Sequence, residues 1–271
     1  MTAFPERRSS PAARWSRRLA WFSAVLLVTV ALGHRYGLVE TVATFWILAI
    51  VATLAMAALG LAVAGFSRLW NFGDRAGRDS TKGALIAFAV LLPFLVSGYR
   101  VFAYPRLNDV STDLIDPPQL AAARRMRTAQ MNAVEPIDAD AAGIQAERYP
   151  EVTGRRYGLP ADRVIEIVSG LVSRYGWQVL AFERPGERDD PAFVEVTIEL
   201  VAGTQVFGFP SDVAIRISNE GDTSYVDMRS ASRFGLHDLG DNAGRIVDFL
   251  EDLDTEVALQ AGIAPPEQEG G

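Results

Sequence analysis

The sequence predicts an α+β domain, built as helix, four-stranded antiparallel sheet and helix, behind an N-terminal bundle of three transmembrane helices. Three observations predict it. Long uncharged apolar runs occupy the first hundred or so residues, strictly alternating runs occupy the region from Phe193 to Met228, and an amphipathic 3.6-residue pattern brackets those alternating runs on both sides. Charge divides the chain at the same place. Residues 1–105 carry 11 Lys+Arg and 4 Asp+Glu, whereas residues 106–271 carry 15 and 29.

That balance excludes several classes of function. An acidic C-terminal part repels phosphate backbones, so nucleic acid is not an expected partner. The chain has no cysteine, which removes disulfides, thiolate zinc sites and cysteine nucleophiles together. Its sole lysine, Lys82, lies in the apolar half, so Schiff-base chemistry in the acidic half is excluded. No cofactor is expected.

The lipid bilayer is the first expected partner. A basic N-terminus (Arg7, Arg8, Arg14, Arg17, Arg18) leads into an uncharged run, and spans are expected at about 19–36, 42–66 and 83–102. The second is the strongest, and the third tolerates Pro93 where neighbouring groups satisfy the freed carbonyl. The first could instead be a signal peptide ending near Ala31-Leu32-Gly33. Placing the N-terminus and the 67–82 loop in the cytoplasm sets nine basic residues inside against Arg35, Arg100 and Arg106 outside. The expected location is a bacterial inner membrane with a cytoplasmic N-terminus and a periplasmic C-terminal domain. With no Asp or Glu inside the spans, an anchor is favoured over a transporter.

From Tyr104 to Pro118 the chain mixes Pro, Asp, Asn and Ser and reads as an extended strap. Its Asn108, Asp109, Thr112 and Asp113 either dock onto the domain or form turns. Gln119–Met131 is expected to be helical, with Arg124, Arg125 and Arg127 on a solvated face or against anionic headgroups. The stretch Asn132–Tyr157 is expected to be irregular.

A helix over Pro160–Tyr175 carries the stripe Val164, Ile165, Val168, Leu171, Val172 and Tyr175, and Gly176 follows it. Strands are expected at Trp177–Glu183 and Phe193–Val201, joined by a turn through Pro185-Gly186. In the second, Val194, Val196, Ile198 and Leu200 alternate with Glu195, Thr197 and Glu199, so one face is expected to be wet. Gly208 and Pro210 predict a bend before the next strand. That strand and the one from Tyr225 form a hairpin around Glu220–Thr223. Only one parity sets Ile217 opposite Val226 and Ile215 opposite Met228, which also sets Arg216 opposite Asp227 and Asp212 diagonal to Arg229. Two exposed ion pairs follow. The last helix is expected to start near Asp238 as N-cap, with the stripe Ala243, Ile246, Leu250, Leu253 and Val257, and to stop at Gly262. The expected divisions are an anchor over 1–104, a strap and irregular segment over 105–158, the α+β domain over 159–262 and a disordered tail over 263–271.

Polar residues crowd the strand-to-helix corner at Tyr225–Leu250. The ligand-binding candidates there and beside it are Asp212, Asp227, Arg229, Ser230, Ser232, Arg233, Asp238, Asn242 and Arg245. Arg229, Arg233 and Arg245 offer bidentate forks to an anion near a helix N-terminus, or are consumed by Asp212, Asp227 and Asp238 as an internal network, which is the preferred reading. Ser230 or Ser232 with His237 and Asp238 supplies the residue types of a hydrolase without a nucleophile-elbow pattern. Asp227, Asp238, Asp241 and Asn242 could bind calcium in kind, but their spacing is not that of an EF-hand.

The stretch DMRSASRFGLHDLGDNAGRI, with LNDVSTD and DPP in the strap, RYPEV at 148–152 and FGFPSDVAIRI at 207–217, resembles a bacterial family called domain-of-unknown-function family 1499. The resemblance covers about residues 105–260. It implies a single domain containing strap, bend and corner, often membrane-anchored, and implies no activity. The function expected is a cell-envelope binding or scaffold module for an anionic small molecule, lipid or protein partner; the alternative is a membrane-anchored hydrolase using the corner.

Overall fold

The computed structural model describes residues 9–183 and 195–260. The turn at Pro185-Gly186, Phe193 and Val194, the stop at Gly262 and the 263–271 tail lie outside the described residues. The chain forms two compact units, one of Met1–Arg100 with Val206–Phe209 and one of Val101–Gln205 with Pro210–Gly271.

In the first unit, helices α1 (Pro11–Arg35), α2 (Thr41–Phe72) and α3 (Gly77–Ala103) are each long and apolar enough to cross a membrane. α1 starts with proline at its first turn, where a missing N–H costs nothing. α1 and α3 begin well before the uncharged runs do, so Arg17 and Asp79 are helical and form an ion pair of 2.7 Å. The helices approach through small residues: Ala20, Ala58 and Ala87 share one cluster, and a Cβ at Gly65 would lie 2.3 Å from Ser80 Oγ. Within the same unit His34 Nδ1 is 2.6 Å from Phe207 O and its Nε2 2.9 Å from Thr41 Oγ1. The expected bend turns at Gly208, where φ is 71°.

The second unit contains β1 (Asp109–Ser111), α4 (Ala121–Met126), α5 (Ala139–Arg148), β2 (Arg155–Tyr157), α6 (Ala161–Tyr175), β3 (Gln178–Glu183), β4 (Glu195–Gly203), β5 (Pro210–Asn219), β6 (Ser224–Ser232) and α7 (Asp241–Gln260). All pairings are antiparallel, in the order β1-β6-β5-β4-β3, and β2 also pairs with β6. The expected hairpin register holds, with Ile217 opposite Val226, Ile215 opposite Met228 and Arg216 opposite Asp227. The apolar face packs on α6 and α7, with Val164, Val168, Leu171, Ile215, Met228, Ile246 and Leu250 in one core and Trp177 stacked on Phe249 at 5.3 Å.

Four details differ from expectation. β1 and β2 extend the sheet to six strands. The 132–157 stretch is not irregular, because Asp138 caps α5 by accepting from Ala141 N at 2.7 Å and Arg155–Tyr157 pairs with β6. The helix expected over Gln119–Met131 shrinks to α4, since Arg127 leaves it in an extended conformation. The second sheet face is wet only toward its Glu195 end: Glu199 is 1% exposed, and its two oxygens accept from Ala122 N (2.8 Å) and Ala123 N (3.0 Å) at the start of α4. Beside it Leu120, Ala123 and Val134 cover Ala214 and Ala231. The strap and α4 thus make a third layer.

Glu199→Ala would leave two buried amides unpaired and is expected to cost about 1–3 kcal/mol for each. Glu195→Ala, on the same face but exposed, should stay within about 0.5 kcal/mol. Equal losses of melting temperature in the two variants would refute the covered face.

Candidate functional site

β6 divides the polar corner by parity. Successive side chains of a strand point to opposite faces, so Asp227 and Arg229 turn toward the strap while Ser230 and Ser232 turn toward α7. The nine candidates therefore do not form one constellation.

On the strap side three groups of charges meet. Arg216 Nη2 lies 2.9 Å from Asp227 Oδ2 and 2.9 Å from Asp113 Oδ2, and its Nη1 lies 3.0 Å from Asp116. Thr112 Oγ1 donates to Asp227 at 2.8 Å and accepts from Met228 N at 2.9 Å. Arg229 makes a two-pronged pair with Asp109 at 3.0 and 2.7 Å and donates to Glu135 O at 2.8 Å. Asp212, fully buried, accepts from Arg127 Nε at 2.8 Å and from Arg233 Nη2 at 2.7 Å.

The expected Arg216–Asp227 pair is present but buried rather than exposed. The expected Asp212–Arg229 pair is absent, because β1 brings Asp109 to Arg229 and the chain after α4 brings Arg127 to Asp212. Arg127 accordingly lies on neither a solvated helix face nor a headgroup surface. All four polar strap residues dock, Asn108 through Gly235 O at 3.3 Å. Sequence reasoning missed Arg127, Asp116 and Glu199 as partners; the departure of Arg127 from its helix carries no local signal.

Burial alone would raise the pKa of Asp113, but the amides of Asp116 and Ile115 and the Arg216 guanidinium outweigh it and hold the carboxyl below its usual range. Burial likewise works to lower Arg216, and Asp227 and Asp113 reverse it.

On the α7 side, Ser230 Oγ donates to Asn242 Oδ1 at 2.8 Å and accepts from Arg245 Nη1 at 2.8 Å. Asn242 Nδ2 donates to Ser232 Oγ at 3.0 Å and Asn108 O at 3.1 Å. α7 starts at Asp241, three residues past the expected N-cap, yet Asp238 still accepts from Gly240 N (2.9 Å) and Asn242 N (3.0 Å). Burial raises the Asp238 pKa against those two amides, and burial lowers that of Arg245 against Asp241, Asp238 and Asp248. Gly240 takes a φ of 81°, and a Cβ there would lie 2.6 Å from the Tyr104 ring, so it serves a turn and a close side chain.

The hydrolase residue types are not brought together. His237 Nδ1 accepts from Leu239 N at 2.9 Å and Nε2 lies 3.2 Å from Val101 O, while both serines are bonded to Asn242. Of the four calcium candidates, Asp227 lies on the sheet face opposite to Asp238, Asp241 and Asn242, and no group of three or more His, Asp or Glu suited to a metal occurs among the described residues. A groove of ≈ 390 Å³ is lined by Arg106, Leu107, Asp138, Ala139, Asp140, Ala141 and Ile144. Its acids outnumber its cation.

The strap contacts have a pH signature. With the Asp113 pKa lowered in the folded state, its contribution is full above the ordinary carboxylate value and is lost as pH falls through the lowered one. Asp113→Asn is expected to lower the melting temperature near neutral pH and to leave it unchanged in acid. A difference that persists undiminished in acid would show that the strap is held by other means.

No curated protein and no solved structure matches the chain. The model of the family described as "Protein of unknown function (DUF1499)" matches residues 109–253, from the first residue of β1 into α7. The match spans more than half of the sequence and includes the strap from Asp109 onward, the sheet and both faces of the corner, so the chain belongs to the DUF1499 family.

Proposed function

We propose that this integral membrane protein presents its α+β domain as a cell-envelope binding or scaffold module. One observation carries the reading: the arginines of the corner are engaged within the domain, four of them by carboxylates and Arg245 by Ser230 and Asn242. Arg127, Arg216, Arg229 and Arg233 each pair with a carboxylate, and Ser230 and Ser232 are held by Asn242. A catalytic corner would need a base within reach of its nucleophile. The rival hydrolase reading requires His237 to reach Ser230 or Ser232, and its ring nitrogens are engaged elsewhere. With the arginines engaged and the groove acidic, an envelope protein is a better partner than an anionic small molecule.

The membrane in this reading is a bacterial inner membrane, with the N-terminus cytoplasmic and the domain periplasmic. Support comes from the gathering of Arg14, Arg17, Arg18, Arg68, Arg75, Arg78 and Lys82 toward one end of the helices, where the Arg17–Asp79 pair joins α1 to α3.

Arg233→Ala is expected to cost about 3 kcal/mol of stability, and partner capture by chemical cross-linking in membranes should fall only as far as the folded fraction does. A variant that stays fully folded yet abolishes an ester or phosphoester hydrolysis present in the wild type would sink the scaffold reading. Alkaline phosphatase fused after Gln260 is expected to be active and green fluorescent protein at the same point dark; the opposite result would reverse the orientation.

A further inference from the structure

The last turns of α2 and the first turns of α1 and α3 lie at one end of the helical unit. Ser10 N donates to Arg75 O at 3.4 Å, Arg17 pairs with Asp79, and Gly65 packs against Ala13 and Ser80. Two of the basic residues there serve the fold, because Asp79 neutralises Arg17 and Asp74 neutralises Arg68 at 3.1 Å. The other five, Arg14, Arg18, Arg75, Arg78 and Lys82, are exposed and make no ion pair among the described residues. Aromatic side chains share their level. Trp15 is exposed with the Arg18 guanidinium 5.5 Å over its ring, and Trp70 and Phe72 are 91% and 77% exposed.

Exposed tryptophan beside apolar helix marks the layer where acyl chains give way to headgroups. The five cations therefore stand at phosphate depth. Zwitterionic headgroups bring their own cation and gain little there, whereas an acidic phosphodiester meets an uncompensated positive field and the bidentate forks of four arginines. We infer that this end of the bundle is a binding surface for acidic phospholipid headgroups, formed by Arg14, Arg18, Arg75, Arg78 and Lys82 with Trp15 and Trp70 at its border. The inference rests on the membrane-spanning reading and is independent of the scaffold role and of orientation.

The test uses the full chain in a neutral detergent. Phosphatidylglycerol and phosphatidylcholine with identical acyl chains are titrated separately, and native mass spectrometry counts the lipids retained. Retention of phosphatidylglycerol is expected to exceed that of phosphatidylcholine by on the order of tenfold and to fall with added salt. The variant carrying Arg14→Gln, Arg18→Gln, Arg75→Gln, Arg78→Gln and Lys82→Gln keeps both structural ion pairs and should lose the preference at an unchanged melting temperature. Equal retention of the two lipids by the wild type overturns the inference whether or not the variant folds, as does an undiminished preference in a folded variant. Displacement of phosphatidylglycerol by millimolar inorganic phosphate would also overturn it, assigning the surface to a soluble anion.

Discussion

The α+β domain depends on the charge matching that closes the second face of its sheet. Arg216, Asp227, Arg229, Asp212 and Glu199 project from three adjacent strands onto a face that the strap and α4 bury. Uncompensated, each would carry a desolvation penalty of several kcal/mol, and replacement by apolar residues would often be neutral or stabilising. The face is tolerable because the covering chain supplies partners for each charge: Asp113 and Asp116 for Arg216, the Thr112 hydroxyl for Asp227, Asp109 for Arg229, Arg127 for Asp212, and two amides for Glu199. Such contacts demand correct geometry and fix where the strap lies. Apolar packing on the α6–α7 side supplies the bulk of the driving force and is indifferent to such detail.

What was legible in the sequence follows from that contrast. Val213, Ile215, Ile217, Val226 and Met228 admit one parity, so the hairpin register could be read locally. The amphipathic α6 and α7 announce themselves by periodicity, and the apolar α1 to α3 by the length of their uncharged runs. The short elements have no period. α4 is six residues long, β1 and β2 three each, and α5 buries little beyond Gln145, so none of them writes an apolar stripe. Asp138 ahead of an alanine-rich run was the one signal available for α5.

The candidate site was legible as a set of polar residues and illegible as an arrangement. Neighbouring charges along β6 look like one cluster in a linear chain, but a strand sends them to opposite sides. Asp227 and Arg229 then answer to the strap, and Ser230 and Ser232 to Asn242 and Arg245. The diagonal pairing of Asp212 with Arg229 failed for a related reason. Local register offers a partner, and a distant segment offered a closer one, through Asp109 at 2.7 Å.

The strap contacts also bear on the order in which the domain comes into being. Asp109 and Arg229 stand 120 positions apart and Thr112 and Asp227 115, so the chain must be made through β6 before β1 has anything to pair with. Loop closure over such distances is entropically costly and slow compared with forming a hairpin between adjacent strands. An apolar strap waiting that long would be a sticky liability during synthesis. A charged one stays hydrated until its complements arrive, so the seam that completes the domain can close last without endangering what precedes it.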